Sequence, residues 1–117
     1  LYYRADRVKI VPSNIRKKII TKKMGWCDDP KSKFYNKEIQ INNQKISYEK
    51  LFKKDNSYDY LIVINYNIKK TIPNKGSAIF IHLTKNYKKT KGCIALKKKD
   101  FLILIKLINN KTKIKID

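Results

Sequence analysis

The stretch SAIFIHLTKNYKKTKGCIAL, residues 77–96, decides the architecture predicted for this chain. Its first part, residues 77–84, is rich in apolar and β-branched side chains, which is typical of a buried strand. A polar loop over residues 85–91 leads to a second predicted strand over residues 93–96, and the loop is short enough for an antiparallel hairpin. The stretch therefore predicts a sheet at the centre of the fold.

The same stretch contains the only histidine, His82, and one of the two cysteines, Cys93. Alternation along a strand places Phe80, His82 and Thr84 on one face. An antiparallel hairpin would bring His82 and Cys93 to the same end of the sheet, where an imidazole can take the proton of a thiol. Gly92 would leave the Cys93 amide free to bind an oxyanion, and we expect a catalytic thiol to have a lowered pKa. A lone cysteine is often a small hydrophobe and a lone histidine a structural residue, so these residues alone leave both interpretations open.

The rest of the pattern predicts a mostly β domain, with a sandwich-like or barrel-like mixed sheet and one or two short α-helices. A serine at position 47 favours a short helix over residues 47–52, and an apolar stripe favours an amphipathic helix over residues 98–109. GWCDDP, residues 25–30, predicts a loop. Further strands are predicted over residues 2–4, 18–21, 37–41, 58–67 and 112–116.

Length and composition favour a single domain over residues 1–117. The 42% hydrophobic and 11% aromatic content is that of a globular chain rather than a disordered one. The longest apolar runs, residues 60–64 and 101–108, are far shorter than the roughly 20 residues that cross a bilayer. We therefore expect no transmembrane segment.

The formal net charge of +20 is the strongest compositional signal, and a basic chain is a candidate for nucleic-acid binding. Of the 29 basic residues, however, 26 are lysines and three are arginines, the better readers of bases and phosphates. Lysine, isoleucine and asparagine make up 56 of the 117 residues, as expected from A/T-rich codons. We expect a solvated basic surface and no specific nucleic-acid partner. A basic module that binds nucleic acid or an anionic envelope polymer is the non-enzymatic alternative.

The cysteines do not form a disulfide framework or a metal site by their spacing. Cys27 and Cys93 can form at most one bridge, and the chain has no CxxC or HxxxH pattern. No signal peptide is visible at Leu1, where the chain opens within a strand-like pattern, so we expect its natural N-terminus to lie upstream.

Several segments together resemble the catalytic domain of the L,D-transpeptidase family, the YkuD-type domain. The family signature is a histidine, a short spacer and then Ser/Thr-x-Gly-Cys, which GSAIFIHL (residues 76–83) and TKGCIAL (residues 90–96) match. YYRADR, GWCDDP, FYN and YDYLIVINYN extend the likeness over nearly the whole chain and resemble a compact bacterial subgroup. The resemblance implies that a strand with a Thr-Pro-x-Gly-type turn precedes Leu1.

The resemblance also implies the chemistry, a cysteine acyltransferase that acts on peptidoglycan stem peptides. Cys93 would be the nucleophile that attacks the carbonyl between an L-configured centre and a D-alanine, and His82 would be the base. Gly92 and the Cys93 amide would line the oxyanion site, and Thr90 would occupy the Ser/Thr position of the motif. No metal or organic cofactor is implied, and a monomer is expected.

Transfer of the acyl group to an amine would give a cross-link, and transfer to water would make the protein an L,D-carboxypeptidase of cell-wall trimming or recycling. The first activity implies the bacterial cell envelope or periplasm, and a recycling carboxypeptidase implies the cytoplasm. The chain has Leu83, Lys91 and Ala95 where many members of the family have Gly, His and Arg. The resemblance implies that these three positions lie around the substrate, whereas the cysteine and histidine of the motif are present.

Two further groups of residues have alternative interpretations. Arg4 and Arg7 are candidate clamps for stem-peptide carboxylates, since a guanidinium matches a carboxylate, or else form ion pairs with Asp6 or another acid. Cys27, next to Trp26, can line the edge of a cleft or belong to a folded loop held by the buried indole and by aspartate turn bonds.

Overall fold

A computed structural model of the chain describes residues 1–9, 12–85 and 93–115. Within these residues the fold is mostly β, with two sheets and one helix, which confirms the predicted fold class. The strands are β1 (Tyr2–Tyr3), β2 (Lys18–Ile19), β3 (Met24–Cys27), β4 (Glu38–Gln40), β5 (Tyr48–Lys50), β6 (Tyr60–Val63), β7 (Phe80–Leu83) and β8 (Ile94–Leu96), and the helix is α1 (Lys98–Leu107).

The larger sheet has five strands in the order β2-β1-β6-β7-β8 and is mixed. β6 lies antiparallel to both β1 and β7, whereas β2 runs parallel to β1. The two central strands are composed mainly of β-branched and aromatic residues, which suit a sheet buried on both faces.

The predicted hairpin between residues 77–84 and 93–96 is wrong in its direction. β7 and β8 are neighbours but run parallel, with Ile81 opposite Ile94 and Leu83 opposite Leu96. Strand length and polarity do not reveal direction, and a parallel return needs a connection that crosses from one end of the sheet to the other. Most of that connection, residues 86–92, lies outside the described residues.

The smaller sheet has the order β4-β3-β5, with both pairs antiparallel. It corrects two predictions, since residues 48–50 form a strand instead of a helix and the GWC of GWCDDP belongs to β3 instead of a loop. Pairing with β3 outweighs the weak local helix signal of residues 47–52. The described part of the predicted terminal strand, residues 112–115, is not in a strand.

The two faces of the five-stranded sheet bury two hydrophobic clusters. On one face, Tyr60, Ile81 and Leu83 pack against Phe101 and Ile105 of α1. The opposite face packs against the smaller sheet, and its cluster comprises Ile20, Trp26, Leu51, Tyr58, Leu61, Ala78 and Phe80, with Cys93 partly buried beside them. The alternation predicted along β7 is therefore observed.

No helix in the described ranges is long and apolar enough to span a membrane.

Candidate active site

Three neighbouring strands position the two candidate catalytic residues. His82 in β7 lies opposite Leu61 of β6 and Ala95 of β8, and Cys93 immediately precedes β8. Since side chains alternate along a strand, Cys93 points to the same face as Ala95 and His82. Neighbouring strands lie about 4.8 Å apart and rise about 3.3 Å per residue, so two residues offset by two positions are about 8 Å apart at the backbone. The structure therefore brings His82 and Cys93 to one face, the face that packs on the smaller sheet.

The imidazole of His82 is half-buried and has a defined orientation. Its Nδ1 lies 2.9 Å from the carbonyl oxygen of Leu83, and the ring of Tyr58 packs edge-on against it with centroids 5.6 Å apart. A carbonyl oxygen only accepts, so this contact places a proton on Nδ1 and leaves Nε2 of the neutral ring as an acceptor. His82 is thus held in the tautomer that can act as a general base.

The thiol of Cys93 is also half-buried, and its Sγ donates to the carbonyl oxygen of Ala78 at 3.2 Å. Burial raises the pKa of this thiol, and the negative charge of Glu49 raises it further. A hydrogen bond from the Phe80 backbone and the positive charge of Lys53 lower the pKa. The expectation of a lowered pKa is therefore wrong, because desolvation of the thiolate is the largest contribution. Attack on a substrate at neutral pH requires a base to remove the proton.

The backbone of Ala78 is held in a conformation that points its carbonyl at Cys93. Its φ of +57° lies in the left-handed region, which costs a non-glycine residue about 1–2 kcal/mol. The Ala78 N–H donates to the side-chain oxygen of Asn36 at 3.2 Å, which fixes this segment against the smaller sheet. A strained residue adjacent to a reactive group is a recurrent feature of catalytic sites.

Asn36 links the smaller sheet to the segments around the thiol. It is 2% exposed, and its Oδ1 also accepts from the indole Nε1 of Trp26 at 2.9 Å. Its Nδ2 donates to the carbonyl oxygens of Tyr66 and Asn67 at 2.9 and 2.8 Å. One buried amide therefore satisfies two donors and two acceptors that come from three separate segments.

A charged cluster adjoins the candidate catalytic pair, His82 and Cys93, on the side of β5. The hydroxyl of Tyr58 donates to Oε1 of Glu49, and the ammonium of Lys53 lies 3.1 Å from the same oxygen. Lys53 Nζ also lies 4.3 Å from the centroid of the Tyr58 ring. Burial and the hydrogen bond to Glu49 raise the pKa of the Tyr58 phenol, so it stays protonated and remains a donor.

Cys27 does not line the edge of a cleft. Its side chain is fully buried in β3, and both cysteines are free thiols. Its carbonyl oxygen accepts from Ser77 Oγ at 2.6 Å, next to the strained Ala78. Of the following aspartates, Asp29 accepts from Lys31 N at 3.0 Å within the loop, and both Asp28 and Asp29 accept from Ser47, just before β5. The predicted loop, held by the buried Trp26 indole and by aspartate hydrogen bonds, therefore begins at residue 28 instead of residue 25.

The guanidinium groups of Arg4 and Arg7 hold the chain segment that carries Lys53. Arg4 is 3% exposed and donates to both carboxylate oxygens of Asp6 at 2.8 Å, as the ion-pair interpretation expects. Arg7 pairs with Asp59 at 3.1 Å, and the two arginines donate to the backbone carbonyls of residues 53–55. Their donors are thus directed at this loop.

Two of the predicted site residues, Thr90 and Gly92, lie outside the described residues. Within the described ranges, no three His, Cys, Asp or Glu side chains are grouped as metal ligands would be.

A sequence profile of the L,D-transpeptidase catalytic domain, YkuD, matches residues 9–116. The chain belongs to the YkuD family. This confirms the resemblance seen in the motifs and places the chain in a family of enzymes that act on peptidoglycan. Comparisons with curated proteins and with solved structures give no match.

The sequence pattern did not reveal several residues around the thiol of this YkuD domain. Asn36 and Ala78 belong to the FYN and GSAIF segments, which carried the resemblance without indicating a contact between them. Glu49 lies within the helix predicted over residues 47–52 and Lys53 directly follows it, whereas Tyr58 begins the strand predicted over residues 58–67. Since the cluster depends on strand β5, the misassigned helix concealed it.

Proposed function

We propose that this YkuD domain is a cysteine acyltransferase of peptidoglycan stem peptides, with L,D-transpeptidation as its reaction. The observation that supports the proposal is the placement of His82 and Cys93 on one face of adjacent strands, with Nδ1 of the imidazole held by the Leu83 carbonyl. That arrangement provides a nucleophile and a base whose free nitrogen, Nε2, can take a proton.

In the first half-reaction, Nε2 of His82 takes the proton of the Cys93 thiol as the sulfur attacks the carbonyl carbon before the terminal D-alanine. The new C–S bond gives a tetrahedral oxyanion, for which the Cys93 amide and Gly92 are the proposed donors, next to Thr90 in its motif position. When the C–N bond breaks, the amine of D-alanine takes the proton from His82. A thioester remains on Cys93.

In the second half-reaction, an amine of a second stem attacks the thioester carbon, and His82 accepts a proton from that amine. The C–S bond breaks and an amide cross-link forms. Water in place of the amine would give the L,D-carboxypeptidase reaction. Neither half-reaction uses a metal or an organic cofactor.

The substrates place the proposed activity in the bacterial cell envelope, or in the cytoplasm if the chain trims recycled muropeptides. We propose that it acts as a monomer. The role of Arg4 and Arg7 as clamps for stem-peptide carboxylates stays a prediction, and the bonds of their guanidinium groups to Asp6, Asp59 and the carbonyls of residues 53–55 favour the ion-pair alternative.

The deciding experiment incubates the protein with purified tetrapeptide muropeptides and follows both protein and products by mass spectrometry. A covalent adduct on Cys93 and cross-linked dimers support transpeptidation, whereas loss of D-alanine without dimers indicates the carboxypeptidase. Cys93→Ala and His82→Ala are expected to abolish or strongly reduce adduct formation, and Cys27→Ala serves as the matched thiol control. Unchanged muropeptides, together with salt-dependent polymer binding that survives Cys93→Ala, would instead favour the basic binding module.

A further inference from the structure

The cluster of Glu49, Lys53 and Tyr58 lies directly beside the proposed catalytic pair. The Tyr58 ring packs on Phe80 and His82 with centroid distances of 5.8 and 5.6 Å, and its hydroxyl reaches Glu49 at the far end of the same ring. The Tyr58 side chain therefore contacts the Glu49 carboxylate at one end and the His82 imidazole with its ring.

This carboxylate is accessible as well as held in place. The side chains of Glu49 and Lys53 are 30% and 32% exposed, so an approaching ligand can reach both charges. Tyr58 fixes one carboxylate oxygen, while the charges of Glu49 and Lys53 both act on the thiol of Cys93, in opposite directions. A fixed, partly exposed carboxylate next to a thioester is suited to a cationic group.

We propose that Glu49 receives the ammonium group of the acceptor stem peptide, and that it thereby favours an amine over water in resolving the Cys93 thioester. This inference rests on the proposed acyltransferase function and names the group that selects the acceptor. Lys53 balances the charge of Glu49 and competes with the acceptor for it. Tyr58 acts as a positioning residue, because it holds the carboxylate and packs against the imidazole.

The acceptor arrives as an ammonium at Glu49 and releases one proton to solvent, which leaves a neutral amine. The amine nitrogen attacks the thioester carbon, and the C–N bond forms as Nε2 of His82 takes a second proton from that nitrogen. The C–S bond then breaks, and Cys93 leaves as a thiolate beside the protonated His82.

The chain contains a matched control for this cluster. Glu38 accepts from the hydroxyl of Tyr2 at 2.6 Å and pairs with Lys18 at 2.8 Å, and Lys18 Nζ lies 6.0 Å from the Tyr2 ring. This second Tyr–Glu–Lys cluster joins β1, β2 and β4, and it is built of the same groups without contact to the imidazole. Removal of the Glu38 carboxylate therefore shows what the loss of a Tyr–Glu–Lys cluster does to the protein when that cluster does not contact the imidazole.

The experiment measures two quantities for each variant with muropeptide donor and acceptor, namely the rate of Cys93 adduct formation and the ratio of cross-linked to hydrolysed product. For Glu49→Gln we expect adduct formation within about two-fold of the parent and a product ratio about ten-fold lower, equivalent to about 1.4 kcal/mol. For Lys53→Gln, which removes the competitor, we expect the ratio to rise. Glu38→Gln is expected to leave both quantities unchanged.

The outcomes separate this inference from the proposed function. An adduct with an unchanged ratio in Glu49→Gln would overturn the inference alone. Equal changes of the product ratio in Glu49→Gln and Glu38→Gln would also overturn the inference, because they would indicate a structural effect. A shift of the ratio in the same direction for Glu49→Gln and Lys53→Gln would overturn it for the same reason. If the parent protein forms no Cys93 adduct, both the proposed function and the inference fail. Thermal melts identify any variant that does not fold, and Lys53→Gln then carries the test.

Discussion

Replacement of Asn36 by alanine should be among the most destabilising single changes in this domain. The substitution leaves the Trp26 indole N–H and the Ala78 backbone N–H, both buried, without their acceptor. A buried donor without a partner costs about 1–3 kcal/mol. Position 36 also has a φ of +58°, where alanine costs about 1–2 kcal/mol more than a residue suited to that conformation. With about 1.5 kcal/mol for each of the two donors and about 1 kcal/mol for the backbone, we expect a total of about 4 kcal/mol.

The assay is equilibrium unfolding in urea, in which Asn36→Ala should lower the midpoint by about 2 M if the denaturant slope is about 2 kcal/mol per M. Asn74→Ala is the matched control, because Asn74 has a φ of +66° but is exposed. It should lose only the conformational part, about 1 kcal/mol. The difference between the two variants isolates the buried hydrogen bonds.

The reasoning is refuted if Asn36→Ala and Asn74→Ala unfold within 0.5 M of each other, an interval of about 1 kcal/mol at the slope assumed above. A second measurement connects stability to the site. Since Asn36 fixes the Ala78 segment whose carbonyl accepts from the thiol, the variant should also change the rate at which iodoacetamide alkylates Cys93 under conditions where the protein is folded.

Three further predictions concern pH and packing. Because burial raises the pKa of Cys93, its alkylation rate should rise with a midpoint at higher pH than that of a free cysteine peptide measured alongside, and a midpoint at or below that of the peptide would contradict the described site. The hydrogen bond from Arg4 lowers the pKa of Asp6 to about 2. The ionised carboxylate therefore stabilises the fold above about pH 4, and this contribution is lost as the pH falls towards about 2. In urea titrations at different pH values, Asp6→Asn should remove that part of the acid dependence of stability. Phe101 is fully buried and Leu107 is 78% exposed. Calorimetry should therefore show that Phe101→Ala lowers the free energy of unfolding by about 3–5 kcal/mol and Leu107→Ala by less than about 0.5 kcal/mol. Similar losses for the two variants would refute the assigned packing.

The stretch over residues 77–96 predicted the two strands β7 and β8 and the face on which each side chain of β7 lies. These features depend on local composition and on the two-residue repeat of a strand, which are visible without any knowledge of partners. The amphipathic helix was predictable for the same reason, since the spacing of Phe101 and Ile105 is that of one helical face. Its end at Leu107, two residues earlier than predicted, is within the usual uncertainty of a helix boundary.

Strand direction and partner choice were not predictable in this way. The alternation of residues 93–96 is the same in a parallel and in an antiparallel neighbour, so the pattern could not exclude the parallel pairing of β7 and β8. Residues 47–52 carry a weak helix signal, and their pairing with β3 overrides it. That pairing brings Glu49 to Tyr58, a contact that spans nine residues and depends on two sheets.

The sequence by itself determined the fold class, the catalytic candidates and the family, because these depend on residue types and on their spacing along the chain. The tertiary structure decided which carbonyl holds His82, which carbonyl accepts from Cys93, and which charges lie beside them. It also reversed the expected shift of the thiol pKa. Burial sets that shift, and burial is a property of the packed sheets that no local pattern of residues contains.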